Sequence, residues 1–320
     1  MNRNGGTSVN IFRNKYNDVR AVWKLMCIIP TFFILTVMLT ICFTFFYSLI
    51  LSAATGIKDP VALAERILNS DFSRMSVAII QNLVMISSVM MFWKSFDKKP
   101  FSRMGLTFNK TGFIDLAYGL ILGATSITLV FLVLLLTGQI IAGSSILKPN
   151  FAWTLLGDLV VMIFVGIGEE MFSRGYCMSI LRRSNIFVVL IVPNLIFALL
   201  HIFNNNIGVI PMINLFLIGL LFSFMFLRRG NIWMPVGYHI TWNFFQGSIF
   251  GMPVSGSDAD GLLTSKPVSE NIFNGGGFGP EGGLIVTGLI IISIALLLIF
   301  AKNKDTGDAV AAGTESQSEM

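Results

Sequence analysis

Apolar residues run along this chain in blocks long enough to cross a lipid bilayer, separated by short polar segments. The first block, residues 25–57, holds no charge over 33 positions. Further blocks lie near 75–93, 116–142, 151–172, 186–203, 207–227, 231–250 and 284–301. A hydrocarbon core of about 30 Å takes about 20 apolar helical residues, so the pattern predicts an all-α, polytopic membrane bundle of about eight spans. The 116–142 block is long enough to tilt or to break near Gly138. A cleaved signal peptide would show a 7–15-residue apolar core and a small-residue cleavage site, so the first block reads as an uncleaved span. The domain reading is a tail over 1–24, a bundle over 25–301 with its chemistry at about 150–250, and a disordered tail over 302–320. The segment 251–283, rich in Gly, Ser and Asp, reads as a mobile loop.

Composition supports this and removes other classes. The 320 residues are 54% hydrophobic and 12% charged, against roughly 25% charged in globular chains, and the mean hydropathy is +0.76. Of the 22 Lys and Arg, 17 fall in segments on one side of the predicted bundle and 5 on the other. Since Lys and Arg collect in short cytoplasmic loops, both termini are expected to be cytoplasmic and the 251–283 loop external. The net charge of +5 is interleaved with apolar runs, so it describes topology. A soluble enzyme, a nucleic-acid reader and a disordered scaffold are excluded as main readings. The three cysteines, Cys27, Cys42 and Cys177, lack C-x-x-C spacing and indicate neither a disulfide framework nor a thiolate zinc site.

Charged groups inside a span cost about 2.5–3.5 kcal/mol each on insertion scales and usually mark function. The fourth span ends Gly168-Glu169-Glu170-Met171-Phe172-Ser173-Arg174, the fifth contains Phe197-x-x-x-His201, and the seventh His239-x-x-x-Asn243. These are the only two histidines in the chain, and each sits in an apolar helix. Glu170 and Arg174, at i and i+4, share a helix face, so the guanidinium can hold that carboxylate ionised. Glu169 lies about 100° around the helix and stays free for proton transfer. His239 and Asn243 also share a face and can aim an imidazole and an amide at one developing oxyanion. At 1.5 Å per residue from the cytoplasmic edges, Glu170, His201, His239 and Asn243 lie about 18, 24, 15 and 21 Å deep. They are therefore expected to meet near mid-membrane, in a cavity open to cytoplasmic water.

The ordered triple Glu169-Glu170-x-x-x-Arg174, Phe197-x-x-x-His201 and His239-x-x-x-Asn243 resembles the three motifs of the CPBP intramembrane proteases, also called the Abi or CAAX-protease family. That family includes type II CAAX prenyl endopeptidases and bacteriocin self-immunity proteins. The resemblance covers roughly 150–250. It implies that Glu169 is the general base on the attacking water, that Glu170 and Arg174 support it, that His201 helps hold the water, and that His239 with Asn243 forms the oxyanion site. The family is commonly labelled as metalloproteases. Glu169, His201 and His239 would satisfy a His₂Glu zinc site, and the same groups could activate water directly. The metal-free alternative is favoured, because two ligand histidines would leave Asn243 as the obvious oxyanion donor.

The leading function is an intramembrane endopeptidase acting on a membrane-associated or lipid-modified peptide, in the cell membrane and from the cytoplasmic side. Its partners would be that substrate and the bilayer, with no nucleic acid. A non-cleaving immunity or scaffold protein that binds a peptide is the main alternative. A proton-coupled transporter is a third, disfavoured by the lack of visible repeats. A Cys177 nucleophile paired with His201 ranks lower. Asp158 reads as an interfacial carboxylate, Gly166 and Gly168 as packing positions, and Trp233 and Trp242 as interface or packing aromatics.

Overall fold

A computed structural model describes residues 11–143, apart from residue 15, and 154–300; the expected disordered tail beyond 304 lies outside the described residues. The chain is mostly helical. Among the described residues four helices are long and apolar enough to cross a membrane: α1 (Ala21–Thr55), α3 (Asp71–Phe92, continued by a π turn to Asp97), α4 (Lys110–Leu136) and α8 (Val209–Arg229). The apolar helices α7 (Ile186–Leu200) and α10 (Leu284–Phe300) are shorter. The remaining two apolar segments are interrupted. α5 (Thr154–Glu170) passes through a π turn at Met171–Cys177 into the single turn α6 (Met178–Leu181), and α9 (Trp233–Phe244) ends in a π turn at Phe245–Ile249. Single-turn π insertions are rare and favour functional sites; here they fall beside the polar residues singled out above.

The bundle has two recognisable ends. At one, Lys24 at the start of α1 pairs with Asp97 at 2.6 Å, and Ser179 Oγ donates to Arg103 O. At the same end the Trp233 indole donates to Thr107 O at 2.7 Å. Asp115 of α4, fully buried, accepts from Arg229 Nε at 2.7 Å and from Asn231 Nδ2 at 2.6 Å. That end carries Arg20, Lys24, Lys99, Arg103, Arg182 and Arg229. At the other end, β1 (Ile140–Ala142) pairs antiparallel with β2 (Ser265–Pro267). The short amphipathic α2 (Pro60–Leu68) also lies there, its Asp59 cap accepting from Val61 N.

At this second end one sequence expectation is met and one needs correction. The 116–142 block breaks near Gly138 as expected: α4 stops at Leu136, Gly138 takes a positive φ of 67°, and the chain turns into β1. The 251–283 segment is not a mobile loop. Phe278 is 1% exposed, and Asn214 Nδ2 of α8 donates to Glu281 O at 2.7 Å and Gly283 O at 3.0 Å. The Glu281 carboxylate accepts from Trp242 Nε1, Ser255 N and Ser255 Oγ. One acid, Glu281, thus folds the loop back over the helix ends, which a count of Gly and Ser does not reveal.

α9 carries two of the site residues, and its seat is the crossing with α4. A Cβ on Gly119 or Gly123 would run into the backbone oxygens of Met234 and Tyr238, and one on Gly237 into Leu116 O. The two backbones meet directly, the close approach that small residues permit between membrane helices. Gly123→Leu is expected to lower the thermal midpoint of the detergent-solubilised protein by several degrees or to abolish its recovery, since overpacking costs about 1–3 kcal/mol or more. Gly288→Leu in α10, where a Cβ meets nothing within 4 Å, is the control and should leave the midpoint nearly unchanged.

Candidate active site

The site grows from the end of α5. Glu170 and Arg174 are both fully buried, and Arg174 Nη1 donates to Glu170 Oε1 at 2.9 Å across the π turn. A lone buried guanidinium would be costly, but both Nη atoms of this one are bonded, to groups from three spans, while its Nε has no partner among the described residues. Its Nη2 donates to Asn194 Oδ1 of α7 at 3.1 Å and to Gly219 O of α8 at 2.9 Å. The planar cation also stacks over Phe197 and Phe222, 4.8 and 5.2 Å from their centroids. Asn194 in turn donates to Leu190 O and Ser223 Oγ. A Cβ at Gly219 would stand 2.8 Å from Asn194 Oδ1 and 3.1 Å from Arg174 Nη2, so glycine is what lets the guanidinium reach that carbonyl.

Asn194, Gly219 and Ser223 do not figure in the sequence analysis. Asn194 had a signal, as a lone amide in the 15-residue apolar helix α7. Gly219 had none, because its role depends on which side chain from another helix lies opposite.

The pair orients one of the two histidines, and a backbone carbonyl orients the other. Glu170 Oε1 also accepts from His239 Nδ1 at 3.0 Å. His201, at the C-terminal end of α7, donates from Nδ1 to Phe197 O at 2.8 Å, since a carbonyl only accepts. Each ring is therefore held by its Nδ1 edge and presents Nε2 to the same point. Both Nε2 atoms lie 3.9 Å from Glu169 Oε2. That exceeds a direct hydrogen bond, and separations of this size are spanned by one bridging atom. Glu169 Oε2 has no hydrogen-bond partner among the described residues.

Glu169, His201, His239 and Asn243 line one cavity of about 290 Å³. Its polar rim is formed by Asn204, Ser255 and Ser257, and its lateral wall by Phe32 and Phe33 of α1, Ala78 and Met85 of α3, and Val161 and Val165 of α5. The expected opening toward the arginine-rich end is corrected here. The rim residues belong to the end that carries β1 and β2, with Asn204 Nδ2 donating to Ser255 O at 2.8 Å. None of the lining residues comes from the end that holds Arg103, Arg182 and Arg229.

The other positions fall outside the cavity. Cys177 is fully buried against the core around Trp93 and Tyr176 and does not line it. Asp158 accepts from Ser248 Oγ at 3.2 Å, toward the loop end of α5. Gly166 packs on Ile240 and Gly168 on Asn82. Trp242 stacks on Tyr238.

A His₂Glu zinc site was tested against this geometry. The donor chemistry matches: two Nε2 atoms whose Nδ1 edges are tied to a carbonyl and a carboxylate, and one free carboxylate oxygen. The spacing does not. Zinc bonds near 2.0–2.1 Å put neighbouring tetrahedral ligand atoms about 3.4 Å apart, against 3.9 Å for both pairs here. Among the described residues no group of three or more His, Cys, Asp or Glu is arranged to hold a metal ion. The residues do not fit a preformed zinc site.

Removing the guanidinium strands a buried carboxylate, so Arg174→Ala is expected to cost about 3–5 kcal/mol, read as a large drop in thermal midpoint in detergent. Arg174→Lys should recover little of it, since an ammonium cannot satisfy Glu170, Asn194 and Gly219 from one planar fork.

Comparison with known proteins bears on the stretch that carries all six site positions. No curated protein matches the chain. Residues 151–245, under a third of the chain, match the family of Rce1-like type II CAAX prenyl endopeptidases. Over α5 to α9 the chain is thus similar to that family, as the resemblance of its motifs to the CPBP intramembrane proteases implies.

Proposed function

We propose that this chain is an eight-span intramembrane endopeptidase in which Glu169 activates the attacking water. The observation that carries the reading is the convergence of Glu169 Oε2 with both Nε2 atoms, 3.9 Å from each, at one cavity with an apolar side wall and a polar rim. The eight spans comprise the four long helices, the two shorter apolar ones, and the two that are interrupted at the site.

Charge balance assigns the protons. Glu169, Glu170 and Arg174 together carry one net negative charge, and uncompensated buried charge is costly. Protonation of one histidine closes the balance. His239, whose Nδ1 faces the Glu170 carboxylate, is the one held to carry both protons. His201, with Nδ1 committed to Phe197 O, keeps a lone pair on Nε2.

A water held by Glu169 and His201 gives its two protons to two acceptors and turns a lone pair to the scissile carbonyl. As the C–O bond forms, Glu169 takes one proton. His239 Nε2–H and the Asn243 amide donate to the developing oxyanion, and Glu169 then passes the proton to the departing amine as the C–N bond breaks. A positioned base is worth about 10²–10⁴-fold and one oxyanion donor about 10²–10³-fold.

Glu169→Gln should reduce cleavage by at least about 10²–10⁴-fold, the range of a lost general base, with the thermal midpoint held within a degree or two. The readout is the set of membrane peptides in cells carrying the native chain against cells carrying the variant. An unchanged peptide set, or a cellular effect that survives the substitution, would mark a non-cleaving peptide binder instead. Asn243→Ala should lower kcat by about 10²–10³-fold with a smaller change in KM, the pattern of a lost transition-state donor. Cleavage by purified protein should persist after dialysis against a chelator. One tightly bound zinc per chain, with activity lost on its removal and restored by zinc, would overturn the direct role of Glu169.

A further inference from the structure

The cavity and the chain's cations lie at opposite ends of the bundle. α1, α3, α4, α6, α8 and α9 all reach the cluster built by Lys24–Asp97, Ser179–Arg103, Arg229–Asp115 and Trp233–Thr107. Arg174, counted among the 17 cations of that side, is buried in the site and is not a loop charge. Sixteen of the 22 Lys and Arg remain on that side of the bundle by sequence, against five on the other. The asymmetry survives, and it fixes the cation-rich end as cytoplasmic.

The mouth of the cavity is at the other end. Asn204 follows His201 at the outer tip of α7, and Ser255 and Ser257 sit in the 251–283 loop, which Glu281 pins through Ser255 N at 2.7 Å and Ser255 Oγ at 2.8 Å. The apolar side wall lies in the middle of the bundle: Ala78 is seven residues from the loop end of α3, Met85 seven from its other end, and Val161 seven from the loop end of α5. Phe33, on this wall, is 41% exposed, so the wall is open to the side of the bundle.

We infer that the site is loaded from the non-cytoplasmic half of the bilayer, and that its substrate class is an extended peptide joined to an apolar segment lying in the outer leaflet. The substrate part of this inference rests on the protease reading; the sidedness does not. An apolar segment enters between α1, α3 and α5 while the adjoining backbone reaches Glu169 under the polar rim. Hydrolysis adds hydroxyl to the carbonyl carbon and hydrogen to the amine, and the polar fragment leaves on the exported side. A prenylated C-terminus presented from the cytoplasm approaches the wrong end of the bundle.

The test is cysteine labelling in intact cells with a membrane-impermeant maleimide, in a chain with Cys27→Ser and Cys42→Ser and with Cys177 retained because it is buried. Ser257→Cys on the cavity rim and Ser184→Cys beside Arg182 are both exposed positions. Ser257→Cys is expected to label at least tenfold more than Ser184→Cys in intact cells, and the two should become comparable after permeabilisation. The reverse ratio puts the mouth in the cytoplasm and overturns the inference, and so does equal labelling of both in intact cells. Lys266→Cys and Lys99→Cys give a second pair at the same two ends should either serine variant fail to accumulate. Glu169→Gln in the same background should leave the labelling unchanged, so loss of cleavage and loss of sidedness are read separately.

Discussion

The buried pair of Arg174 and Glu170 is the constraint on which the rest of the site depends. Each group alone would be a costly charge in a lipid-embedded core, and other spans add hydrogen bonds to the pair. Nη2 fastens α5 to α7 through Asn194 and to α8 through the Gly219 carbonyl. The Glu170 oxygen that accepts Nη1 also accepts Nδ1 of His239 on α9. One ion pair therefore ties four helices and sets the orientation of an imidazole. Positioning and stability are the same interaction seen from two sides.

Backbone geometry makes that interaction reachable. The π turn at Met171–Cys177 follows Glu170 directly, and all seven of its residues are buried. On the far side, the glycine-lined crossing of α4 and α9 lets α9 lie backbone to backbone against its neighbour. α9 is then fixed by sterics along one face and by a charge-assisted hydrogen bond on the other. Packing in lipid gains nothing from hydrophobic exclusion between apolar helices, so close approach and polar contacts carry specificity here.

Much of this was legible in the sequence because lipid is an unforgiving solvent. An apolar run excludes charge unless something compensates it, so Glu169, Glu170, His201, His239 and Asn243 stood out without any structure, and helix periodicity separated the neighbouring glutamates. Arg174 shows the limit of that logic: its type suggested a cytoplasmic loop, whereas its fourfold spacing from Glu170 belonged to the core. Gly219 was silent because its function is the absence of a side chain opposite a partner from another helix. The 251–283 segment read as mobile because composition counts Gly and Ser but cannot see Glu281 gathering Trp242 and Ser255 into one contact. The end at which the cavity has its rim was not legible for a related reason: depth along a helix says nothing about which end of the bundle carries the opening.

That end-to-end asymmetry connects the fold to the proposed chemistry. The cation-rich end is sealed by Asp115, Arg229 and Asn231 and by the Trp233 indole, each with its polar groups matched. The opposite end leaves Asn204 and Ser257 at a rim where water has polar partners, and α1, α3 and α5 leave an apolar wall where a lipid-borne chain has van der Waals partners. Water and peptide thus arrive along different directions, one axial and one lateral, and Glu169 lies where the two paths cross. In the proposed reaction the carboxylate needs only to meet both. The buried pair beneath it keeps the His239 imidazole aimed at the crossing point and the Phe197 carbonyl keeps that of His201, so the orientation is set by folding and not by the substrate.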